Sequence, residues 1–517
     1  MNTILVRTLA MALTGLDAHV ISVETHVGRG LVSFNLVGLP DASVREARDR
    51  VRAALQSCGV DWFERRITIN LSPAGIPKNG SAFDLAIAVG MLCAHRQLKP
   101  ESTANTVFMA ELGLDGSLRP VRGVLPAVIG AAKAGIHNVV VAQEAAAEAA
   151  LVPGISVRGY RHLSDLVQDL GGTMPADHIS LEASPVAEQL PLAAAEIPTD
   201  LADVRGQSFA AHGLIIAAAG GHHMLMMGEP GAGKTMLAKR LPTILPDLED
   251  DDAIDVTAIH SLAGTYRRNQ GLIRRPPIQA PHHNATMPSI IGGGSGLPSP
   301  GAVSLAHAGV LFLDESAEFA PSVLDCLRQP LENGHITIHR ARGHLTYPAR
   351  FQLVLATNPC PCGHAISRRK SCTCSSIQQR RYLNRLSGPL LDRIDIQVTM
   401  QTPTPAALAE PPPYTSAQAR DIVEVARQRA RIRWENHPWS LNAHAPSAAI
   451  RDLITELPTV ISDTLNDAVN NGVLSLRGAD RVLRIALTIA DMREATMTLN
   501  DLTSALQYRN GTDHASY

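Results

Sequence analysis

Three groups of residues have the types and spacing that chemistry needs. The first is Gly228-Glu229-Pro230-Gly231-Ala232-Gly233-Lys234-Thr235, set between the apolar run Met224–Met227 and a helical pattern with Leu237, Ala238 and Leu241 on one face. Strand, glycine-rich turn and helix in that order predict a phosphate-binding loop. Backbone N–H groups turn inward around the phosphates, and the helix N-terminus adds its positive end. Lys234 is placed to reach the β- and γ-phosphates of a nucleoside triphosphate, ATP, and the Thr235 hydroxyl to hold Mg²⁺. The second group ends the apolar run VLFLDE (310–315) on two carboxylates. Downstream of a phosphate loop, Asp314 is expected to hold Mg²⁺ through its water shell and Glu315 to orient and polarise the attacking water. A further run, LVLATNP (353–359), ends on Asn358, a candidate to contact the γ-phosphate or that water, although Asn before Pro is also a common turn.

The third group is Cys360-Pro-Cys362 and Cys372-Thr-Cys374. Four thiolates arriving as two close pairs suit a closed tetrahedral site for structural Zn²⁺, with no open position for catalysis. The spacing is Cys-x-Cys rather than Cys-x-x-Cys, and His364 is available to replace one thiolate. Free thiols and a redox or iron–sulfur role are the competing readings. Arg368, Arg369 and Lys370 form a basic patch on the loop between the pairs.

The elements that must carry these groups follow from periodicity and punctuation. A chain of 517 residues suggests roughly two to four domains. With 45% hydrophobic and 18% charged residues it reads as soluble globular protein. A net charge of -2 leaves nucleic acid to be held by local basic patches, and 3% aromatic residues give few stacking platforms. No apolar run reaches the length of about 18 residues that a membrane span needs. The first twenty residues, with one early Arg and Asp17, make a poor signal peptide, so a cytoplasmic location is expected. Four of the seven Cys lie in 360–374, which favours metal binding over disulfides in such a compartment.

Residues 1–170 read as one α+β domain. HVISVETHV (19–27) and LVSFNLVGL (31–39) alternate around Gly28-Arg29-Gly30 and predict a hairpin. Ser43-Val-Arg-Glu46 reads as a capping box before a stripe of Val44, Ala47, Val51, Ala54 and Leu55. RRITINL (65–71) predicts a strand, 72–92 a loop entering a buried helix, and 111–136 a strand with a turn, a loop and a second helix. Residues 171–198, rich in Ala, Pro and Glu, read as a linker. An ATPase core spans 199–402, with a four-Cys insertion at 360–374. Within it, the acidic stretch Asp247–Asp252 reads as a solvated face or cap cluster. Residues 334–351 predict a hairpin whose tip, Arg340-Ala-Arg342-Gly343, is basic. His282 and His283 are expected to be loop or core hydrogen-bonders, since adjacent histidines seldom share one ion. Pro411–Pro413 mark the way into a C-terminal helical domain at 403–517.

On these residues two resemblances rest. Pro77–Ser81 and Leu112–Ile136 resemble the proteolytic domain of Lon-type proteases, which use a Ser–Lys dyad. Ser81 lies near the nucleophile position, but the spacing is one residue short and the family's lysine falls at Leu125. Lys78 and Lys133 are not at the matching place, so a Lon-like fold without peptidase activity is expected. The order of phosphate loop, Asp-Glu strand and Asn-ended strand resembles the AAA+ class, with Asn358 as sensor 1. The segment Leu386–Asp395 resembles the one that carries the arginine finger, here Arg393, acting on ATP held by a neighbouring subunit.

Ala280-Pro-His-His-Asn284, Ile291–Ser295, Ser304–Glu315, Leu327–Glu332 and Thr357–Gly363 are similar to the magnesium-chelatase-related branch, and specifically to the YifB/ComM family, over almost the whole chain. Ser316-Ala317 replaces the Leu-Pro expected after Glu315. The resemblance implies an α/β fold: an AAA+ P-loop core with a C-terminal helical lid, preceded by the α+β Lon-protease-like domain. It implies sensor 2 at Arg477, reaching ATP in the same subunit, with Arg484 as the fallback. It also implies a hairpin projecting toward the channel of a homo-oligomeric, hexameric ring, where Arg340 and Arg342 would touch DNA phosphates. The function so implied is an ATP-driven motor on branched DNA, a branch-migration helicase. The alternatives are a magnesium-chelatase motor subunit, whose relatives generally lack the N-terminal domain and the cysteine cluster, and a protein remodeller that docks through the Lon-like domain.

Overall fold

The computed structural model describes residues 4–174, 199–267, 269–294, 298–340, 343–367, 370–454, 459–472 and 474–510. Arg342, Arg368, Arg369 and most of the 171–198 stretch lie outside the described residues, and Arg340 is described by its backbone alone. Among the described residues no helix is long and apolar enough to cross a membrane.

The N-terminal part is built on seven strands: β1 (Ile4–Thr14), β2 (Asp17–Gly28), β3 (Ser33–Val37), β4 (Arg66–Ser72), β5 (Thr106–Met109), then, past the short pair β6 (Glu111–Leu112) and β7 (Leu118–Arg119), β8 (Asn138–Ala142) and β9 (Ser156–Tyr160). Their order is β3-β4-β2-β1-β5-β8-β9. The expected hairpin between 19–27 and 31–39 does not form. Strand β2 pairs with β1 through the tight turn at Gly15-Leu16, and β4 lies between β2 and β3. The physical reason is the helix Ala42–Ser57, which carries the chain from β3 to β4 as a crossover and so makes that pair parallel. The helix is capped by Asp41, whose Oδ1 accepts from Val44 N at 2.8 Å, and not by the expected Ser43. Its predicted stripe of Val44, Ala47, Val51, Ala54 and Leu55 is buried.

Helices Ala42–Ser57 and Asp84–Ala94 cover one face of this sheet, and Val124–Lys133 covers the other. Ser81 donates its hydroxyl to the Glu111 carboxylate. The fully buried Lys78 donates to the Pro73 carbonyl, its pKa lowered by burial, while Lys133 is exposed and Leu125 is in the core. Neither lysine is a hydrogen-bond partner of Ser81 among the described residues.

The second sheet holds β10 (Met224–Gly228), β11 (Ile278–Gln279), β14 (Val310–Leu313), β17 (Gln352–Thr357) and β18 (Ile396–Met400), in the order β11-β14-β17-β10-β18 and parallel throughout. Parallel strands with both faces covered need apolar side chains on both sides, which is why these runs read as continuous rather than alternating. Two-residue strands β12 (Gly292–Gly293) and β13 (Ser299–Pro300) lie against the predicted hairpin, β15 (His335–Arg340) and β16 (Gly343–Pro348), in register His335↔Pro348 to Arg340↔Gly343. Helices Ser208–Gly220, Ser416–Arg433, Leu476–Met492 and Leu499–Asn510 share one core with β10 and β18. The acidic run begins helix Asp250–Ala263 with three Asp in its first turn, where the helix dipole favours them. The two sheets' units touch: Gly123 N donates to Ser261 O at 3.3 Å, and Ser261 Oγ to Glu148 Oε1 at 2.5 Å.

Candidate nucleotide site and cysteine cluster

Strand β10 delivers the chain to the glycine-rich turn at the C-terminal end of the parallel sheet. Gly231 and Gly233 have φ of 82° and 94°, a left-handed conformation that side chains resist and that turns successive N–H groups inward. Lys234, nearly buried, donates from Nζ to Gly228 O at 2.7 Å, Glu229 O at 2.9 Å and Asn358 Oδ1 at 3.1 Å. Burial lowers its pKa, and the charges of Asp314, Glu315 and Glu229 oppose that shift. Thr235 Oγ1 donates to Asp314 Oδ2 at 2.6 Å. Lys234, Thr235, Asp314 and Asn358, drawn from three strands, therefore meet at one place. The helix behind the loop is shorter than its periodicity suggests: it runs Lys234–Ala238 and restarts at Leu241–Ile244 around Pro242, with Leu237, Ala238 and Leu241 buried.

Glu315 holds a left-handed φ of 50°, an uncommon state for a side-chain-bearing residue that costs on the order of 1–3 kcal/mol. Its Oε2 lies 2.9 Å from Nδ1 of His283. His283 thus reaches the carboxylate expected to polarise water, while His282 Nδ1 accepts from Asn284 N at 3.2 Å within its own turn. The motif Ala280–Asn284 signalled that the segment mattered, but nothing in the sequence linked it to a strand thirty residues on. Gln207 was missed as well: its Nε2 donates to Ala232 O at 2.9 Å and Gln401 O at 2.7 Å, tying the phosphate loop to the end of β18. Its only sequence signal is a polar residue just before an apolar helix.

Arg393 does not reach this site in its own chain. It precedes β18 by three residues, and β18 runs parallel to β10 in register Met224↔Ile396 to Gly228↔Met400. The phosphate loop leaves the opposite end, about 13 Å away along the strands. Arg393 pairs with Glu332, rather than with Asp392 or Asp395, and lines a cleft of about 320 Å³ with Arg477, Asp480, Arg481 and Arg484. Burial, then Arg328, Arg481 and Arg477, lower its pKa. Arg477, expected to reach ATP in its own subunit, is exposed in the same cleft as Arg393. The reason is where helix Leu476–Met492 is anchored. Its Arg481 pairs with Asp395, and its Thr488 bonds His222 Nε2 at 2.9 Å, both at the start of the strands. The fallback Arg484 is spent on Ala445 O at 3.0 Å. Burial alone would raise Asp395, but His222, Arg481 and His223 hold it well below the usual carboxylate range.

The four predicted cysteines come together. Their sulfurs all lie within 4.8 Å of one another, with Cys360–Cys362, Cys362–Cys372 and Cys360–Cys372 at 3.3, 3.5 and 3.7 Å, and none is in a disulfide. A zinc ion with bonds of about 2.3 Å would hold tetrahedral sulfurs roughly 3.8 Å apart, so the donor set fits such an ion. Backbone N–H groups of His364 and Thr373 bring Cys362 down to about 5, and burial pushes Cys360 up to about 11. Cys372 also receives N–H groups from Cys374 at 3.4 Å and Gln379 at 3.4 Å. His364 is not among these grouped ligands, and Lys370 is exposed beside the cluster.

Comparison with known proteins adds the relationship. Residues 200–408 match the family described as magnesium chelatase, subunit ChlI; residues 413–509 match its C-terminal part, and 23–145 match subunit ChlI of Mg-chelatase. Competence protein ComM of Haemophilus influenzae is 41% identical over 499 residues, covering 96% of this chain and 95% of its own. YifB of Escherichia coli is 40% identical over 501 residues, 96% of both chains. The chain belongs to the YifB/ComM family of magnesium-chelatase-like AAA+ proteins. An uncharacterized protein of Mycobacterium tuberculosis is similar at 45% over 505 residues, 97% of this chain and 98% of its own. Lon protease 2 of Bacillus subtilis matches this YifB/ComM-family chain at 29% over 122 residues, 22% of this chain and 21% of its own. AAA+ proteins are typically ATPases.

Proposed function

We propose that this chain is an ATP-hydrolysing, ring-forming AAA+ motor that acts on branched DNA. One observation carries the ring: Lys234, Thr235, Asp314, Glu315 and Asn358 meet at one end of the sheet, while Arg393 and Arg477 share a cleft at the other. A subunit with its arginines facing away from its own phosphate loop is suited to serve the next subunit's ATP, and such head-to-tail contacts close into rings. Thr235 and Asp314 would hold Mg²⁺, which supplies charge neutralisation at the phosphates. Glu315, oriented by His283, takes the proton of the attacking water, and Arg393 of the neighbour faces the developing charge. Cys360, Cys362, Cys372 and Cys374 would hold a structural Zn²⁺.

DNA as the object of the motor rests on the name of the relative ComM, a competence protein, and on the hairpin β15–β16 with its basic tip. The chelatase-named matches favour a second reading, a motor for metal insertion. ATP, Mg²⁺ and labelled branched or forked DNA, with Lys234→Ala and Glu315→Gln as controls, separate the two. ATP-dependent strand exchange, absent in both variants, is expected. DNA-indifferent binding and ATPase rate would overturn the DNA reading and leave the chelatase or protein-remodelling motor.

A further inference from the structure

The cysteine cluster and the nucleotide site touch at two points. Asn358, whose Oδ1 accepts from Lys234 Nζ at 3.1 Å, is joined through the buried Pro359 to the buried Cys360. Three residues after Cys360 the chain turns back on the phosphate loop. Gly363 N donates to Cys360 O at 2.9 Å, and Gly363 has a φ of 81°. A methyl group at its Cα would stand 2.6 Å from Cδ and 2.7 Å from Cγ of Pro230, the second residue after Gly228 in the loop. The turn 360–363 therefore carries two of the four sulfurs, one end of it fixed to Asn358 and the other laid on Pro230.

What fixes this turn is the question. Deprotonated together, four sulfurs within 4.8 Å of one another would repel strongly. A divalent cation removes that repulsion and ties 360–362 to 372–374. We propose that a metal ion held by Cys360, Cys362, Cys372 and Cys374 braces the nucleotide site through Asn358 and Pro230, so that ATP binding depends on its occupancy. This rests on the assignment of a metal to the cluster.

The full chain is stripped with a zinc-selective chelator in excess Mg²⁺. Zinc content, circular dichroism and the Kd for a fluorescent ATP analogue are then followed. The stripped chain should keep its helical signal, bind the analogue about tenfold more weakly, and recover with added Zn²⁺ but not with further Mg²⁺. Gly363→Ala, which spares all four sulfurs, should keep its zinc yet bind the analogue several-fold more weakly. Unchanged affinity in the folded, stripped chain would overturn the brace, as would wild-type affinity in zinc-loaded Gly363→Ala. If stripping unfolds the chain, Gly363→Ala alone decides. A full chain that neither contains nor takes up zinc overturns the metal assignment itself, an outcome distinct from zinc-loaded protein whose nucleotide affinity ignores the metal.

Discussion

His283 shows how much one side chain adds to a site assembled from motifs. Glu315 sits on a left-handed backbone and is half exposed, so its carboxylate has few neighbours to fix its direction. The 2.9 Å contact with His283 supplies that direction. Removing it with His283→Ala should lower kcat for ATP about tenfold, the effect of losing an orienting interaction of about 1.4 kcal/mol, with KM changed little. Steady-state kinetics check this, and an unchanged kcat would make His283 an onlooker. His307 offers a residue-scale prediction for pH. It is 1% exposed, its Nδ1 accepts from Arg350 N at 3.1 Å, and burial brings its pKa down to about 4. The unfolded chain takes up this proton near pH 6.5, well before the folded one does. The stability conferred by the neutral ring is therefore intact above 6.5 and is lost as pH falls toward 4, by about 3 kcal/mol in full. Tm measured across that window should fall less steeply in His307→Gln, which does not titrate.

At the scale of elements, the turn at Asp41 holds two things at once. One carboxylate oxygen caps helix Ala42–Ser57 at Val44 N, and the other accepts from Gly80 N at 3.2 Å, beside Ser81. Asp41→Ala should cost about 1–2 kcal/mol, seen as a lowered denaturation midpoint. Asp41→Asn should recover part of the loss, since its amide oxygen still accepts.

The same scale shows what the sequence made legible. The phosphate loop, the Asp-Glu strand and the Asn-ended strand were readable because each is local: a few residues carry both the element and its chemistry. The cysteine cluster was readable for a related reason, since a short loop limits where its sulfurs can go. Strand β1 was not recognised, because its second half is apolar on both faces: Ala10 and Ala12 enter one core and Met11 the other. The pairing of β2 was misjudged because nearness in sequence favours β3, whereas the crossover helix hands that edge to β4. Arg477 was assigned by pattern, but its surroundings are set by Asp395, His222 and Thr488, which are distant in the chain and meet only on folding.

For the whole molecule, the separation of Arg393 from Lys234 offers a test of the proposed ring. Arg393→Ala and Lys234→Ala should each abolish ATP hydrolysis when pure. Mixed in equal amounts before assembly, they should regain a measurable fraction, because some junctions pair an intact phosphate loop with an intact arginine. Rates of the mixture no higher than the sum of the two parts would argue for sites complete within one chain.

The buried Asp395 that receives Arg481 and His222 bears on motion as well. Breaking a buried ion pair of this kind costs about 3–5 kcal/mol, so the C-terminal helices are bolted to the foot of the parallel strands rather than hung on a hinge. In the proposed ring, work drawn from a nucleotide would then leave the protomer as a rigid-body swing against the adjoining protomer, with the stroke taken up at the seams.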